Sequence, residues 1–239
     1  MSEETLPILL WTAVSIGFVH TLIGVDHSLP FIALSRARNW SFARTMGLTA
    51  LCGVGHVASS VILGFVGIAL GVAISELSWI ESMRGELAAH LIIGFGLAYG
   101  IWAVVRRQRG HRHSHVHSHS DGTMHDHSHD HASEHVHVHT VSAKTAMLTS
   151  WTLFLIFIFG PCEALIPMLM APAAEQNWGW VIMVTAAFGL TTIGTMMSVV
   201  AVGYVGLRLK RFEKLESWAD AIAGFSIAGS GMAIKLLGI

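Results

Sequence analysis

Six apolar stretches, near residues 5–24, 43–72, 84–106, 145–172, 178–206 and 216–238, are each long enough to cross about 30 Å of hydrocarbon. Lipid offers the backbone no hydrogen bonds, so such stretches are expected to be helices that satisfy their own peptide groups. Composition agrees: 53% of the 239 residues are hydrophobic and 12% are charged, about half the charge of a soluble domain. The expected fold class is an all-α integral membrane protein with six transmembrane helices. Its net charge of −1 lacks the basic excess that a nucleic-acid partner requires. Cys52 and Cys162 both lie in apolar runs, which leaves no disulfide framework. The N-terminus, Met1-Ser2-Glu3-Glu4-Thr5, is acidic where a secretory signal is basic, so the first apolar run is expected to be retained.

Basic residues orient the bundle. Twelve of the 14 Lys and Arg fall on alternate loops: Arg36, Arg38 and Arg44; then Arg106, Arg107, Arg109, Arg112 and Lys144; then Arg208, Lys210, Arg211 and Lys214. Arg84 and Lys235 are left on the other side, with Glu3, Glu4, Glu76, Glu81 and Glu175. The positive-inside rule then makes the three basic loops cytoplasmic and puts both termini outside a plasma (inner) membrane.

Spans one to three and four to six read as copies. Gly24-Val25-Asp26-His27-Ser28-Leu29-Pro30 parallels Gly160-Pro161-Cys162-Glu163-Ala164-Leu165, with Pro167 one place later than Pro30. Gly53 aligns with Gly189, which sets His56 against Thr192; His90-x3-Gly94-Phe95 parallels Asp220-x3-Gly224-Phe225. Three spans per copy is an odd number, so the second copy is expected to be inverted. Inverted repeats with Gly/Pro-interrupted spans are the pattern of secondary transporters with a midplane site. The chain divides into repeat one (1–106), a connecting loop (107–142) and repeat two (143–239).

Ionisable residues inside the spans mark that site. His20, His27, His56, His90, Asp26, Glu163 and Asp220 each cost at least about 2.5 kcal/mol in hydrocarbon, so they are expected to face the bundle interior. Cys162 is either a soft ligand or a small apolar residue in a tight interface. His20 and His27 are two turns apart, about 10.5 Å on a continuous helix, too far to share one ion with bonds of about 2 Å. A break near Gly24, with Pro30 beyond it, would fold Asp26 and His27 back toward His20. Without that break the chain holds two ion positions in series. Ser59 and Ser60 share the face of His56. His90 and Asp220 are candidate entry and exit positions. Mixed imidazole and carboxylate ligands suit Ni²⁺, Co²⁺, Zn²⁺ or Fe²⁺ rather than Mg²⁺ or Ca²⁺. Neither a P-loop nor a His-Glu-x2-His helix occurs, so an enzyme is not expected.

The connecting loop carries twelve more histidines: His111, His113, His115, His117, His119, His125, His127, His129, His131, His135, His137 and His139. With no apolar periodicity, it reads as a disordered, metal-binding, low-complexity segment.

These residues resemble those of the nickel/cobalt transporter superfamily. His20-Thr-Leu-Ile-Gly-Val-Asp26-His27 is similar to its His-x4/5-Asp-His signature, with the five-residue spacing of the urease-accessory UreH-type membrane proteins. Gly55-His56 resembles its second-helix Gly-His motif, Pro161-Cys162 a later Pro-Cys pair, and the histidine-rich loop that of the nickel/cobalt efflux branch. Two positions depart: the permease spacing is four, and Glu163 stands where the efflux branch tends to have proline. The resemblance implies transition-metal transport with His20, Asp26, His27 and His56 on the path. No tightly bound cofactor is expected; Ni²⁺ or Co²⁺ would be cargo. The expected partners are metal ions and the bilayer, with a cytoplasmic metallochaperone or metalloenzyme-maturation protein as the candidate protein class. The competing readings are a non-transporting metal sensor or chaperone, a sulfite-type anion exporter, and a thiol-redox enzyme.

Overall fold

The computed structural model describes residues 5–108, 114–118, 124–128, 143–160, 162, 164–209 and 218–237. Outside the connecting loop, every regular element among them is helical. The order is α1 (Thr5–Ile23), a single 3-10 turn (Val25–His27), α2 (Leu29–Ala37), α3 (Phe42–Leu70), α4 (Ile74–Gln108), α5 (Ala143–Phe159), α6 (Leu165–Ala174), α7 (Trp178–Leu209) and α8 (Ala219–Leu237). Four of these helices, α1, α3, α4 and α7, are long and apolar enough to cross a membrane. Large apolar side chains on the outside include Trp11, Ile62, Leu70, Trp79, Leu190 and Val202. Such a surface is stable against lipid and not against water.

Local chemistry sets the helix boundaries. Gly24 ends the helical run of α1, and Pro30 sits in the first turn of α2, where its missing N–H is no loss. Ser41 caps α3 by accepting the Arg44 N–H at 3.2 Å. Gly71, at φ +67°, closes α3: the Val72 N–H reaches back to the Gly67 carbonyl, and a left-handed residue there favours glycine.

Three boundaries differ from the sequence expectation. Residues 29–37, read as loop, form α2, which turns Phe31 and Leu34 into the core. Helix α4 starts at Ile74, ten residues before the apolar stretch does, because Glu81 and Arg84 are satisfied inside the protein rather than by water. The stretch 145–172 is two helices, α5 and α6, separated at 160–164. In the connecting loop, read as unfolded, strands β1 (Ser114–Ser118) and β2 (Met124–Ser128) pair antiparallel. The alternating His/Ser/Val sequence has a strand's period of two, and a lone two-stranded ribbon is marginal in water.

Helix α1 lies on α7 as α5 lies on α3, and α2 meets α7 and α8 as α6 meets α3 and α4. Contacts of α3 with α7 and of α4 with α8 form a seam. A core of Phe31, Leu34, Cys52, Leu153, Phe157 and Met196 fills one side. A second, with Ala13, Val57, Leu165, Val184 and Phe188, fills the other. Arg38 over Tyr99 and Trp102, Arg44 over Trp40, Arg106 over Trp102 and Arg107 over Trp218 gather at one end of the bundle.

Candidate metal centre

The helical path is interrupted after α1 at Gly24, beside His27, and after α5 at Gly160, beside His56. At the first, the chain leaves α1 at Gly24 and makes one tight turn, which brings His27 back against His20 with ring centroids 5.1 Å apart. His56, from the middle of α3, meets His27 edge-on at 5.0 Å. One ligand nitrogen from each of His20, His27 and His56 lies within 4.8 Å of the other two. The fold-back alternative, rather than two separate histidine positions along span one, is therefore the arrangement found.

Hydrogen bonds fix which nitrogens are free. His56 Nδ1–H donates to the Phe157 carbonyl at 3.3 Å, which leaves the lone pair on Nε2. His27 Nδ1–H donates to the Gly24 carbonyl at 3.2 Å and stands 3.1 Å from Asp26 Oδ1, which turns its Nε2 toward His56. Those two Nε2 atoms face each other at 3.4 Å. At that distance a proton shared between the rings or a metal ion coordinated by both satisfies the pair. His20 Nε2 is buried and has no partner among the described residues. Ligands on bonds of about 2.0 Å in a tetrahedron stand roughly 3.3 Å apart, so His27 and His56 are already at coordinating separation. His20, with a nitrogen within 4.8 Å of both, is the candidate third ligand.

Asp26 supplies no atom to that cluster. Its carboxylate, a quarter exposed, backs His27, the usual arrangement in which a carboxylate orients a ligating imidazole and raises its basicity. Cys162 is fully buried, and its backbone N–H, not its thiol, makes the polar contact, donating to Glu81. His90 is exposed on α4, with Nδ1–H donating to the Glu86 carbonyl and Nε2 accepting from Lys235 at 2.9 Å. Asp220 accepts from Tyr99 and lies 4.0 Å from Arg38, within the aromatic end of the bundle. Neither His90 nor Asp220 joins the three-histidine cluster. Glu163 lies outside the described residues. So do His111, His113, His119, His129, His131, His135, His137 and His139, while His115, His117, His125 and His127 fall in the β ribbon, His115 opposite His127 and His117 opposite His125.

Glycine makes room for both inner rings. A Cβ on Gly24 would press on His27 Nδ1 and stand 2.8 Å from its Cε1; one on Gly160 would stand 2.9 Å from His56 Nδ1. Gly24→Ala must therefore tilt the His27 ring. We expect it to weaken Co²⁺ binding roughly tenfold, the lower range for disturbing a ligand's support, with the helical content unchanged by circular dichroism. Binding at wild-type strength would show that His27 is not a ligand.

Sequence reading missed Glu81 and Arg84, which it left on an outer loop. Glu81 is wholly buried and Arg84 largely so. The available signal was their i, i+3 spacing beside an apolar run, together with Ser59 and Ser60 one turn past His56. No family model, no curated protein and no solved structure matches the chain.

Proposed function

We propose that this protein is a secondary transporter of a divalent transition-metal ion, carried by His20, His27 and His56 between two inverted three-helix repeats. The observation that carries the proposal is the convergence of three histidines: the Nε2 atoms of His27 and His56 meet at 3.4 Å, and the buried His20 Nε2 has no partner among the described residues. Neutral imidazoles select Ni²⁺, Co²⁺, Zn²⁺ or Fe²⁺ over Mg²⁺ and Ca²⁺. The resemblance of His20-x5-Asp26-His27 to the nickel/cobalt transporter superfamily favours Ni²⁺ or Co²⁺ as cargo.

Transport rather than storage is supported by the architecture around the cluster. The paired contacts of α1 with α7 and α5 with α3, of α2 with α8 and α6 with α4, and the helix ends at Ile23 and Phe159 are what two inverted repeats would produce. Irregular backbone at membrane depth is tolerated where it is buried in protein or lines a cavity. With the arginine and tryptophan end taken as cytoplasmic, both termini and the α3–α4 turn face outward, and the histidine-rich loop faces the cytosol. There it would collect or buffer ions and hand them to a metallochaperone. Alternating access is then a rocking of one repeat against the other about the fixed histidines. Imidazoles bind metal only when unprotonated, so ion and proton compete for the site.

Purified protein in liposomes loaded with a metal-sensitive dye tests this. Saturable entry of Ni²⁺ or Co²⁺ is expected, changed by an imposed proton gradient and absent with His27→Ala. Binding without flux would replace the transporter with a sensor or chaperone. Neither binding nor flux for any of the four metals would end the metal reading.

A further inference from the structure

The break between α5 and α6 leaves the last carbonyls of one helix and the first N–H groups of the next without helical partners, inside the protein. A single ion pair from α4 takes up both. Arg84 Nη2 donates to the Ile158 carbonyl at 2.8 Å and to that of Gly160 at 3.4 Å. Its partner Glu81 accepts the Cys162 N–H at 3.1 Å. The same two residues reach α3: Arg84 donates to Ser59 Oγ at 2.7 Å, and Ser60 Oγ donates to Glu81 at 3.2 Å. Ser59 Oγ in turn donates to the carbonyl of His56 at 2.8 Å.

We infer that Glu81 and Arg84 are positioning residues of the metal site, which hold the broken turn so that the Phe157 carbonyl sets the tautomer and aim of His56. This deepens the transporter reading and rests on it for the identity of the ligand. The Phe157 carbonyl that receives His56 Nδ1–H belongs to the same last turn of α5 as the Ile158 and Gly160 carbonyls that Arg84 holds. Arg84 touches neither the ring of His56 nor any ligand nitrogen; it acts through the turn on one side and Ser59 on the other. A guanidinium suits the task because its planar fork serves several acceptors at once, whereas an ammonium serves as a point charge. Glu81 keeps that buried cation neutralised, and its own oxygens are filled by Ser60, Cys162 and Arg84.

The consequence is specific. When the fork is lost, the α5 terminus relaxes, His56 loses its fixed acceptor, and its proton is shared between the two ring nitrogens. Outer-sphere partners of this kind are worth 10- to 100-fold in metal affinity. The test titrates purified protein in detergent with Co²⁺, whose visible d–d bands report ligand number and geometry, and reads the His56 tautomer from ring ¹⁵N shifts. Arg84→Gln is expected to weaken binding at least tenfold, shift the d–d bands, and turn the His56 signal from a single Nδ1–H tautomer into a mixture. Arg84→Lys, which keeps the charge but not the fork, should fall between the two. Wild-type affinity, spectrum and tautomer in Arg84→Gln would overturn the inference. Should Arg84→Gln not fold, Ser59→Ala decides the matter: it removes one arm of the same chain and should shift the same bands and ¹⁵N signals, whereas wild-type signals there would overturn it. Wild-type protein that binds no Co²⁺ would refute the metal reading, while the ¹⁵N comparison would still decide the role of Arg84.

Discussion

His56→Ala is expected to reduce Co²⁺ or Ni²⁺ affinity by at least about 100-fold and to stop transport. Disturbing only the support of a ligand costs 10- to 100-fold, and this change removes a ligand outright. It also removes the partner that brings His27 Nε2 to coordinating distance at 3.4 Å. The two remaining nitrogens, His20 Nε2 and His27 Nε2, come from the two sides of the break in span one, and a two-ligand site lacks the geometry that holds a first-row metal against water. The fold should survive the change. The Phe157 carbonyl that loses His56 still accepts the Gly160 N–H at 3.1 Å, so no buried acceptor is orphaned. The contrast is His90→Ala, which removes an exposed ring paired with Lys235 and should bind metal as wild type does. Equilibrium titration of both proteins with Co²⁺ checks the pair. Equal affinities would place the ion somewhere other than the three-histidine cluster.

The contrast between His27 and His90 also shows what the sequence could and could not convey. Both lie in apolar runs, and cost alone makes both suspicious. What separates them is direction: the chain reverses at Gly24 and carries His27 inward, whereas the ring of His90 lies on an outer face of α4 where a lysine reaches it. The glycine and proline that bracket the turn are readable, and they indicate the break. The angle of the break depends on what α2 packs against, which lies more than a hundred residues away in α7 and α8. The role of Asp26 is lost for the same reason. Spacing puts it in the site, and only geometry puts it behind His27 rather than on the ion. Glu81 and Arg84 were hidden by hydropathy itself, which scores each charge as a reason to end a span. A buried pair neutralises and satisfies itself, and no window average registers that.

Of the six apolar stretches read as spans, four correspond to helices of spanning length and hydropathy. The stretch at 145–172 contained its own interruption in Pro161 and Pro167, whereas the short helix α2 contained none that a period count detects. Its nine residues carry Pro30 at the start and Arg36 near the end, which read as a loop until Phe31 and Leu34 are seen to be fully buried.

Gly96→Ala is expected to prevent α4 and α8 from closing, at a cost of at least the roughly 3 kcal/mol that marks the upper range for overpacking a core. At this crossing the obstacle is backbone, not side chain. A Cβ on Gly96 would run into the Ala228 amide nitrogen and stand 2.7 Å from the Gly224 carbonyl; one on Gly224 would run into the Gly100 amide and stand 2.8 Å from the Gly96 carbonyl. Neither neighbour has a rotamer to change, so the helices must part along the whole seam. Small residues are what allow such approach in membranes, where packing rather than water exclusion drives helix association. The contacts are reciprocal, Gly96 to Ala228 as Gly224 to Gly100. Gly224→Ala, blocked by backbone in the same way, is expected to match Gly96→Ala in effect. Gly94→Ala is the control: among the described residues nothing lies within 4 Å of its Cβ, and alanine should leave stability unchanged or raise it by up to about 1 kcal/mol through helix propensity. Thermal unfolding in detergent, followed by loss of the monodisperse elution peak, should put Gly96→Ala and Gly224→Ala well below wild type and Gly94→Ala at or above it. A Gly96→Ala protein that melts with the wild type would mean that the two halves do not meet at this seam.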